Sequence, residues 1–496
     1  MDSSNTDVLI VGGGPAGSVA AAALARAGIG CVLMERDSFP RYHIGESLLP
    51  SVLTVLDAID LRSTVERYGF VRKFGGLFRW GPESAPWKLA FGELEGLKNY
   101  AFQVIRSEFD ELLLRHAAVC GARVLENTPV REVEIGPDGR AHSAIYVSGG
   151  VERRIGFNFL IDASGRYGLM ANHLLKSRIF HSAFDNIAIW QYWRGGKPTP
   201  QVEGGIITEA TPLGWIWYIP LHDGTFSVGT VTSRAAAIRA NLRDNAEGMY
   251  RKVLAASMLA SAQLDQATPV GELRIERDYS YHSTSFSGPG YFMAGDAACF
   301  IDPVLSSGVH LATMSGLMAA ACVRACLLEG WDEAETHGFY EENYQKAFHR
   351  FLGFLSAFYD QNRHVHSYFW QDRQLSEQEC SATALRRAFV TLVTGEQDLR
   401  ELTYQQTAQE VVETVIAGRV SENIRLRNSS EPLTSNVHAS RRFVAGVDGL
   451  FPCDSGEAVN GTYLQLVPHV RLARVATPVS ESPVAEMSDA FRVPMS

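Results

Sequence analysis

The feature that most restricts how this chain can fold lies near its start, where the β-branched run Asp7-Val-Leu-Ile-Val11 leads straight into Gly12-Gly-Gly-Pro-Ala-Gly17. A run of that kind suits a strand covered on both faces. Ser18 to Ala27 then reads as helix and Cys31-Val-Leu-Met-Glu35 as a second strand, which together make a βαβ unit. In Gly12-x-Gly14-x-x-Gly17 the first glycine permits the tight turn, the second lets backbone approach a pyrophosphate, and the third packs helix on strand. The helix N-terminus adds about half a unit of positive charge for the phosphates. Glu35 ends the second strand about where a carboxylate accepting the ribose hydroxyls belongs. With Glu35 in place, a dinucleotide site outweighs a merely structural glycine turn.

Further along, Val104 to Ala118 reads as helix, while Ala122-Arg-Val-Leu125, Val130 to Ile135 and Phe159-Leu-Ile-Asp162 read as strands. Between Ile179 and Arg274 the pattern changes to aromatic and β-branched strands with turns such as His222-Asp-Gly224, which predicts a separate antiparallel sheet. Tyr291-Phe-Met-Ala-Gly295 returns to a strand, and from Val309 to about Val415 the periodicity is helical. After about Val470 periodicity ends in a Pro/Ser/Glu-bearing tail, for which disorder is the expectation. The expected division is therefore a discontinuous cofactor domain over 1–75, 100–177 and 275–330, and a substrate-sheet domain over 76–99 and 178–274. A mainly helical region over 331–470 and a tail over 471–496 complete it.

Composition closes off several functions. The 496 residues include 45 basic and 55 acidic side chains, a net charge of −10 that argues against nucleic acid or an anionic membrane as a main partner. Cys31, Cys120, Cys299, Cys322, Cys326, Cys380 and Cys453 are scattered without a CxxC pair or metal-ligand spacing, as befits reduced thiols of a cytoplasmic protein with no bound metal. The glycine turn interrupts the apolar start, which also lacks a basic leader, so no export signal is expected. Val309 to Leu328 is apolar enough to suggest a membrane span but carries His310 and Arg324, and reads better as a buried helix. No HExxH, Walker loop or GxSxG elbow supports hydrolase or NTPase chemistry.

Ala294-Gly295-Asp296-Ala297-Ala298 follows a strand, as expected where an aspartate meets the ribityl or pyrophosphate part of FAD. With this second segment the chain resembles the two-domain, hydroxybenzoate-hydroxylase-like flavoproteins. The resemblance implies an α/β fold with a Rossmann-like FAD domain, an antiparallel substrate sheet and a helical C-terminal region. It also implies that Gly12, Gly14, Gly17, Glu35, Arg41, Arg106 and Asp296 hold the cofactor; a salt bridge is the plainer role for Arg106. Asp162-Ala-Ser-Gly165 departs from the Asp-Gly pair with which the related monooxygenases position NADPH, so reduced flavin is expected from a separate flavin reductase.

Gly214-Trp215-Ile-Trp217-Tyr-Ile219-Pro220 carries Trp-x-Trp-x-Ile-Pro, by which the chain resembles the flavin-dependent halogenases within that superfamily. Elsewhere two tryptophans sharing a strand face would be ordinary core. The resemblance implies that flavin hydroperoxide is intercepted by halide behind a wall of bulky side chains, Trp215 and Trp217, and that the hypohalous acid travels to a lysine. Lys73, in Arg72-Lys73-Phe-Gly-Gly76, matches that lysine. A lysine buried among apolar side chains loses its charge toward neutrality and gains a lone pair for chlorine, whereas Arg72 stays protonated. Asp302-Pro303-Val-Leu-Ser306-Ser307-Gly308 opens the apolar helix, where backbone amides suit an anion; Ser307 and Gly308 match the family's halide pair, with helix capping the blander role for the serine.

The family's tryptophan enzymes place a glutamate two residues before the position of Ser307, where this chain has Leu305, which the resemblance turns against free tryptophan as substrate. Phe39-Pro-Arg41-Tyr-His-Ile-Gly45-Glu46-Ser47-Leu-Leu-Pro50, Gly76-Leu-Phe-Arg-Trp-Gly81 and Ser367-Tyr-Phe-Trp370 resemble halogenases of tyrosyl groups held on carrier proteins in peptide-antibiotic biosynthesis. Chloride, a flavin reductase and an acyl or peptidyl carrier protein are the implied halide and partners. Arg419, Arg425, Arg427, Arg441 and Arg442 outnumber Glu422 and Glu431 and would offer such an acidic carrier a landing zone, though a solvated charged loop is the simpler reading of them. The alternatives left open are an aromatic hydroxylase on the same scaffold, a halogenase of a free phenol or a pyrrole, and a flavin-binding sensor without turnover.

Overall fold

The computed structural model describes residues 5–80, 85–93, 98–239, 241, 245–360, 394–403 and 461–474. Val8 to Val11 are buried on both faces of the strand Asn5–Val11, as their side chains require. That strand pairs in parallel with Cys31–Met34 on one side and with Val151–Asp162 on the other. Arg123–Leu125 and Tyr291–Met293 extend the parallel set, and an antiparallel meander of Val130–Ile135 and Ala141–Ser148 leads into Val151–Asp162 to complete an eight-stranded sheet. Gly12 takes φ +105°, and a Cβ there would lie 2.2 Å from the Ala163 carbonyl oxygen; one at Gly17 would lie 2.0 Å from that of Gly12. Only glycine fits either position.

The eighth strand of the first sheet is Ser287–Gly288, antiparallel to Tyr291–Met293 at its edge. A second eight-stranded sheet runs in the order Cys299–Phe300, Thr268–Ser283, Arg178–Arg194, Thr225–Ser233, Gly214–Pro220, Ile206–Thr211, Gly75–Arg79, Trp87–Ala90. It is antiparallel except where Ile206–Thr211 meets Gly75–Arg79. The helix Ala246–Ala255 contributes Met249, Tyr250 and Val253 to an apolar cluster with Leu77, Ile189, Ile216 and Tyr218 on one face. Each such side chain contributes about 1.5–3 kcal/mol by leaving water. The change of pattern read near residue 275 falls inside the continuous strand Thr268–Ser283, because both ends of that strand pair with Arg178–Arg194.

The helix Gly308–Leu328 is long and apolar enough to cross a membrane, yet 78% of its most apolar stretch is buried. It packs against the Pro15–Arg26 helix so closely that a Cβ at Gly316 would sit 2.3 Å from the Ala16 carbonyl oxygen, and it is a core helix. Glu333–Asp360 and the short Glu396–Leu402 supply the helical character expected after residue 330. The chain does not turn to unstructured tail at 471: Thr462–Gln465 and Arg471–Arg474 pair as a hairpin that buries Leu464, Val470 and Leu472. Ser367 to Trp370, the arginine group from Arg419 to Arg442, Cys380 and Cys453 lie outside the described residues.

Candidate active site

A cavity of about 560 Å³ runs between the two sheets, a volume within the range of cofactor clefts. Gly12, Gly14 and Glu35 line one end, Arg41, Arg106 and Asp296 the middle wall, and Trp190, Trp215 and Trp217 the far end. Glu35 is fixed by two backbone donors, Gly13 N–H at 2.7 Å and Asp37 N–H at 2.9 Å, and its carboxylate closes the turn beside the Pro15–Arg26 helix N-terminus. A carboxylate at one end, unpaired helix amides next to it and an apolar aromatic end match the three chemistries of FAD, namely ribose, pyrophosphate and isoalloxazine. The residues fit the cofactor.

Arg106 is not the surface ion pair that it could have been. It is 5% exposed and grips Asp110 with two bonds, Nε–Oδ1 2.8 Å and Nη2–Oδ2 3.0 Å, while Nη1 donates to the Ile44 carbonyl at 2.8 Å. Burial pushes the Asp110 carboxyl up, but Arg106 outweighs it and holds the group below the usual carboxylate range. Arg41 reaches the same carboxylate at 3.3 Å. The pair thus pins the 41–45 loop over the cavity. Burial pushes Asp296 up to about 6 against the pull of Arg166, Arg106 and Arg178.

Adjoining the large cavity is a second cavity of about 20 Å³, room for one water-sized molecule. Lys73 lines it from the strand Val71–Lys73, with Leu49, Phe78, Leu89, Phe91 and Leu305 among its neighbours. Its Nζ donates to Ser47 Oγ at 2.8 Å and to the Leu48 carbonyl at 3.0 Å and lies 5.3 Å from the Phe91 ring centre. Only 3% of the residue is exposed, and burial lowers its pKa to about 7. Ser306 and Ile206 line both cavities, so they form the partition between them.

The loop ahead of Gly308–Leu328 owes its shape to Asp302. That carboxylate caps the turn Pro303–Leu305 by accepting from Val304 N–H at 2.9 Å, and Asn186 and Tyr359 hold it at 3.2 and 3.0 Å. Ser306 then takes a left-handed conformation, φ 56°, followed by right-handed Ser307, a backbone sequence that aims successive amides at one point. Of the expected halide pair, Gly308 lines the large cavity, whereas the Ser307 side chain is buried and lines neither. The neighbouring Ser306 is the hydroxyl at the partition, and the sequence reading passed over it.

Trp215 and Trp217 stand on one face of Gly214–Pro220 with ring centres 5.9 Å apart. Trp215 Nε1 donates to Tyr359 Oη at 2.7 Å and Trp217 Nε1 to Ser227 Oγ at 3.2 Å. Trp190 adds a third ring, 6.3 Å from Trp217. Sequence reasoning missed Trp190 and gave no role to Ser47 or Glu46, although all three touch these cavities or Lys73; the Gly45-Glu46-Ser47 run flagged the last two, and no signal marked Trp190. Among the described residues no cluster of His, Cys, Asp or Glu is arranged to bind a metal.

Residues 7–99 and 94–418 match the family model described as tryptophan halogenase. The chain is 39% identical over 498 residues to a tryptophan 2-halogenase of Chondromyces crocatus, covering 95% of this chain and 94% of the relative. It is 34% identical over 491 residues to a flavin-dependent halogenase of Armillaria mellea, covering 93% and 97%. The solved structure of the myxobacterial chondrochloren halogenase, an FAD-dependent enzyme, superposes with a TM-score of 0.72 at 34% identity, covering 91% of this chain and 99% of that one. None of these names mentions a carrier protein, and the first sets a tryptophan enzyme beside the inference drawn from Leu305. On that family match and these identities the chain belongs to this family, the flavin-dependent halogenases.

Proposed function

We propose that Lys73 carries the reactive halogen and that the enzyme chlorinates an electron-rich phenolic ring. The observation that bears most weight is the lysine itself: a buried amine, brought to about 7, in a water-sized cavity that shares Ser306 and Ile206 with the FAD cleft. Bound reduced FAD supplies the activated oxygen that oxidises halide to hypohalous acid. Gly12, Gly14, Gly17 and Glu35 hold the dinucleotide, with Arg41, Arg106 and Asp296 along its length. The amides of Ser307 and Gly308 hold chloride at the helix N-terminus.

A molecule about the size of hypochlorous acid fits the smaller cavity beside the Lys73 amine. The neutral Lys73 nitrogen accepts Cl⁺ as the O–Cl bond breaks; hydroxide takes the amine proton and leaves as water. The aromatic carbon then takes Cl⁺ from nitrogen and returns its proton. Trp215 and Trp217 close off the FAD side, so the organic ring is kept from the oxidant. A phenol supplies its own electron density, which suits a cavity where Leu305 offers no carboxylate base. The likeness to enzymes of tyrosyl groups extends this reading to a ring delivered by a carrier protein, with a separate flavin reductase and a cytoplasmic setting.

The test is product mass after purified protein is mixed with FAD, a flavin reductase, NADH, oxygen and chloride, with tyrosine and tryptophan free and tyrosine loaded on a carrier. Chlorotyrosine confined to the loaded form supports the whole reading. Chlorination of free tyrosine only removes the carrier, and chlorotryptophan overturns the argument from Leu305.

A further inference from the structure

Written with neutral reduced flavin, halogenation converts reduced FAD, oxygen, chloride, an aromatic C–H and one proton into FAD, an aromatic C–Cl and two waters. One proton must therefore enter a cleft walled by tryptophans in each turnover. We propose that Glu46, Tyr192 and Tyr42 form the path by which it enters, from solvent at Tyr42 to the Glu46 carboxyl in the cavity wall.

The geometry is a chain of single hydrogen bonds with one direction. Tyr192 Oη donates to Glu46 Oε1 at 2.6 Å. A phenol has one hydrogen, so across the 3.0 Å between Tyr42 and Tyr192 the donor is Tyr42. Trp190 Nε1, which can only donate, gives its hydrogen to Tyr42 Oη at 2.7 Å and leaves that phenol's own hydrogen for Tyr192. Both phenol hydrogens thus point toward the carboxyl. Tyr42 is 42% exposed, while Glu46 is 2% exposed, and both line the cavity. Glu46 Oε2 is buried without a hydrogen-bond partner of standard geometry, an acceptor lone pair that burial makes costly unless the group holds a proton.

Around the carboxyl stand Tyr192 and Ser227 on neighbouring strands, Arg106 at the start of its helix and Asp223 in a turn. Burial outweighs the pull of the Ser227 and Tyr192 hydroxyls and of Arg106 and pushes Glu46 up to about 7, so both protonation states are populated near neutrality. The Glu46 O–H bond breaks as its proton passes to the oxygen being reduced to water. Tyr192 then returns a proton to the carboxylate, Tyr42 returns one to Tyr192, and solvent reprotonates Tyr42. No electrons move along this path. Burial raises the Tyr192 phenol well above its ordinary value, which makes it a relay and not a store.

Two measurements test the path. Carboxyl infrared difference spectra of the FAD-free protein should show one group titrating at about 7 that is missing in Glu46→Gln. Proton uptake, followed with a pH indicator as the reduced FAD-bound enzyme meets oxygen and chloride, should slow roughly ten-fold or more in Tyr192→Phe and Tyr42→Phe. FAD affinity and melting temperature should stay near wild-type values in both phenylalanine variants, and each should show a larger solvent isotope effect. A Glu46 that titrates in the ordinary carboxylate range, or wild-type proton uptake in both variants, overturns the proposal.

Discussion

Lys73 Nζ lies 2.8 Å from Ser47 Oγ, a contact that ties the strand Val71–Lys73 to the residue directly after Glu46. The amine proposed to carry halogen and the carboxyl proposed to feed protons to the FAD cleft are thus held by adjacent residues of one segment. Chlorine transfer needs the neutral amine. Transfer from Lys73, read with hypochlorous acid supplied directly so that proton uptake through Glu46 does not enter, should therefore rise with pH through about 7 and level off above it. Ser47 Oγ accepts from the ammonium and favours that charged form, so Ser47→Ala should move the acid limb to lower pH and cut the plateau roughly five-fold, the worth of one hydrogen bond. A pH–rate profile of the two enzymes decides it.

The same burial makes Lys73 a cost to folding. Its folded pKa is about 7 against an ordinary 10.5, so the unfolded chain binds the extra proton between those values and stability from this group rises with pH across them. Lys73→Met removes the cost. It should raise the melting temperature most at pH 7 and below, with the gain shrinking toward pH 10.5. Thermal unfolding at three pH values reads this directly.

Ser51, His310 and Asp398 form a buried chain, Ser51 Oγ to His310 Nδ1 at 2.9 Å and His310 Nε2 to Asp398 at 3.0 Å. Arg350 binds Asp398 and spans both oxygens of Glu401 at 2.8 and 2.9 Å. Burial alone would raise Asp398; Arg350 and His310 hold it low. Arg350→Met leaves the buried Asp398 without its guanidinium, while Glu401 keeps Lys346 at 2.7 Å, and should cost about 3–5 kcal/mol in chemical denaturation. Because this network links the helix that opens at Gly308 to Glu396–Leu402, chloride affinity should weaken in the same variant.

Trp217 packs between Trp215 and Trp190. Trp217→Ala should cost about 3–5 kcal/mol of stability. It also widens the cleft, so hydrogen peroxide should escape and the ratio of halogenated product to oxygen consumed should fall, as read by an oxygen electrode alongside product mass.

What was legible in the sequence was local. The glycine turn with Glu35, the Trp-x-Trp strand and the segment around Lys73 each carry their chemistry within a few residues, and the structure brings them to two adjoining cavities. What was not legible joins residues far apart. Tyr42 meets Tyr192 across 150 positions and His310 meets Asp398 across 88, distances at which periodicity carries no information. That Ser306 and not Ser307 lies at the partition between the cavities turns on one left-handed residue, φ 56° at a serine, that no turn motif announces. The hairpin at 462–474 escaped because each strand is four residues long.

The central claim is that Lys73 delivers halogen to carbon. The direct measurement is product mass from wild type and Lys73→Ala, each loaded with FAD, in chloride and in halide-free buffer. The account predicts a chlorinated aromatic product from wild type in chloride only. With Lys73→Ala it predicts loss of that product by roughly a hundred-fold or more while oxygen is still consumed. Undiminished chlorination by Lys73→Ala, or a hydroxylated product formed without halide, would contradict it.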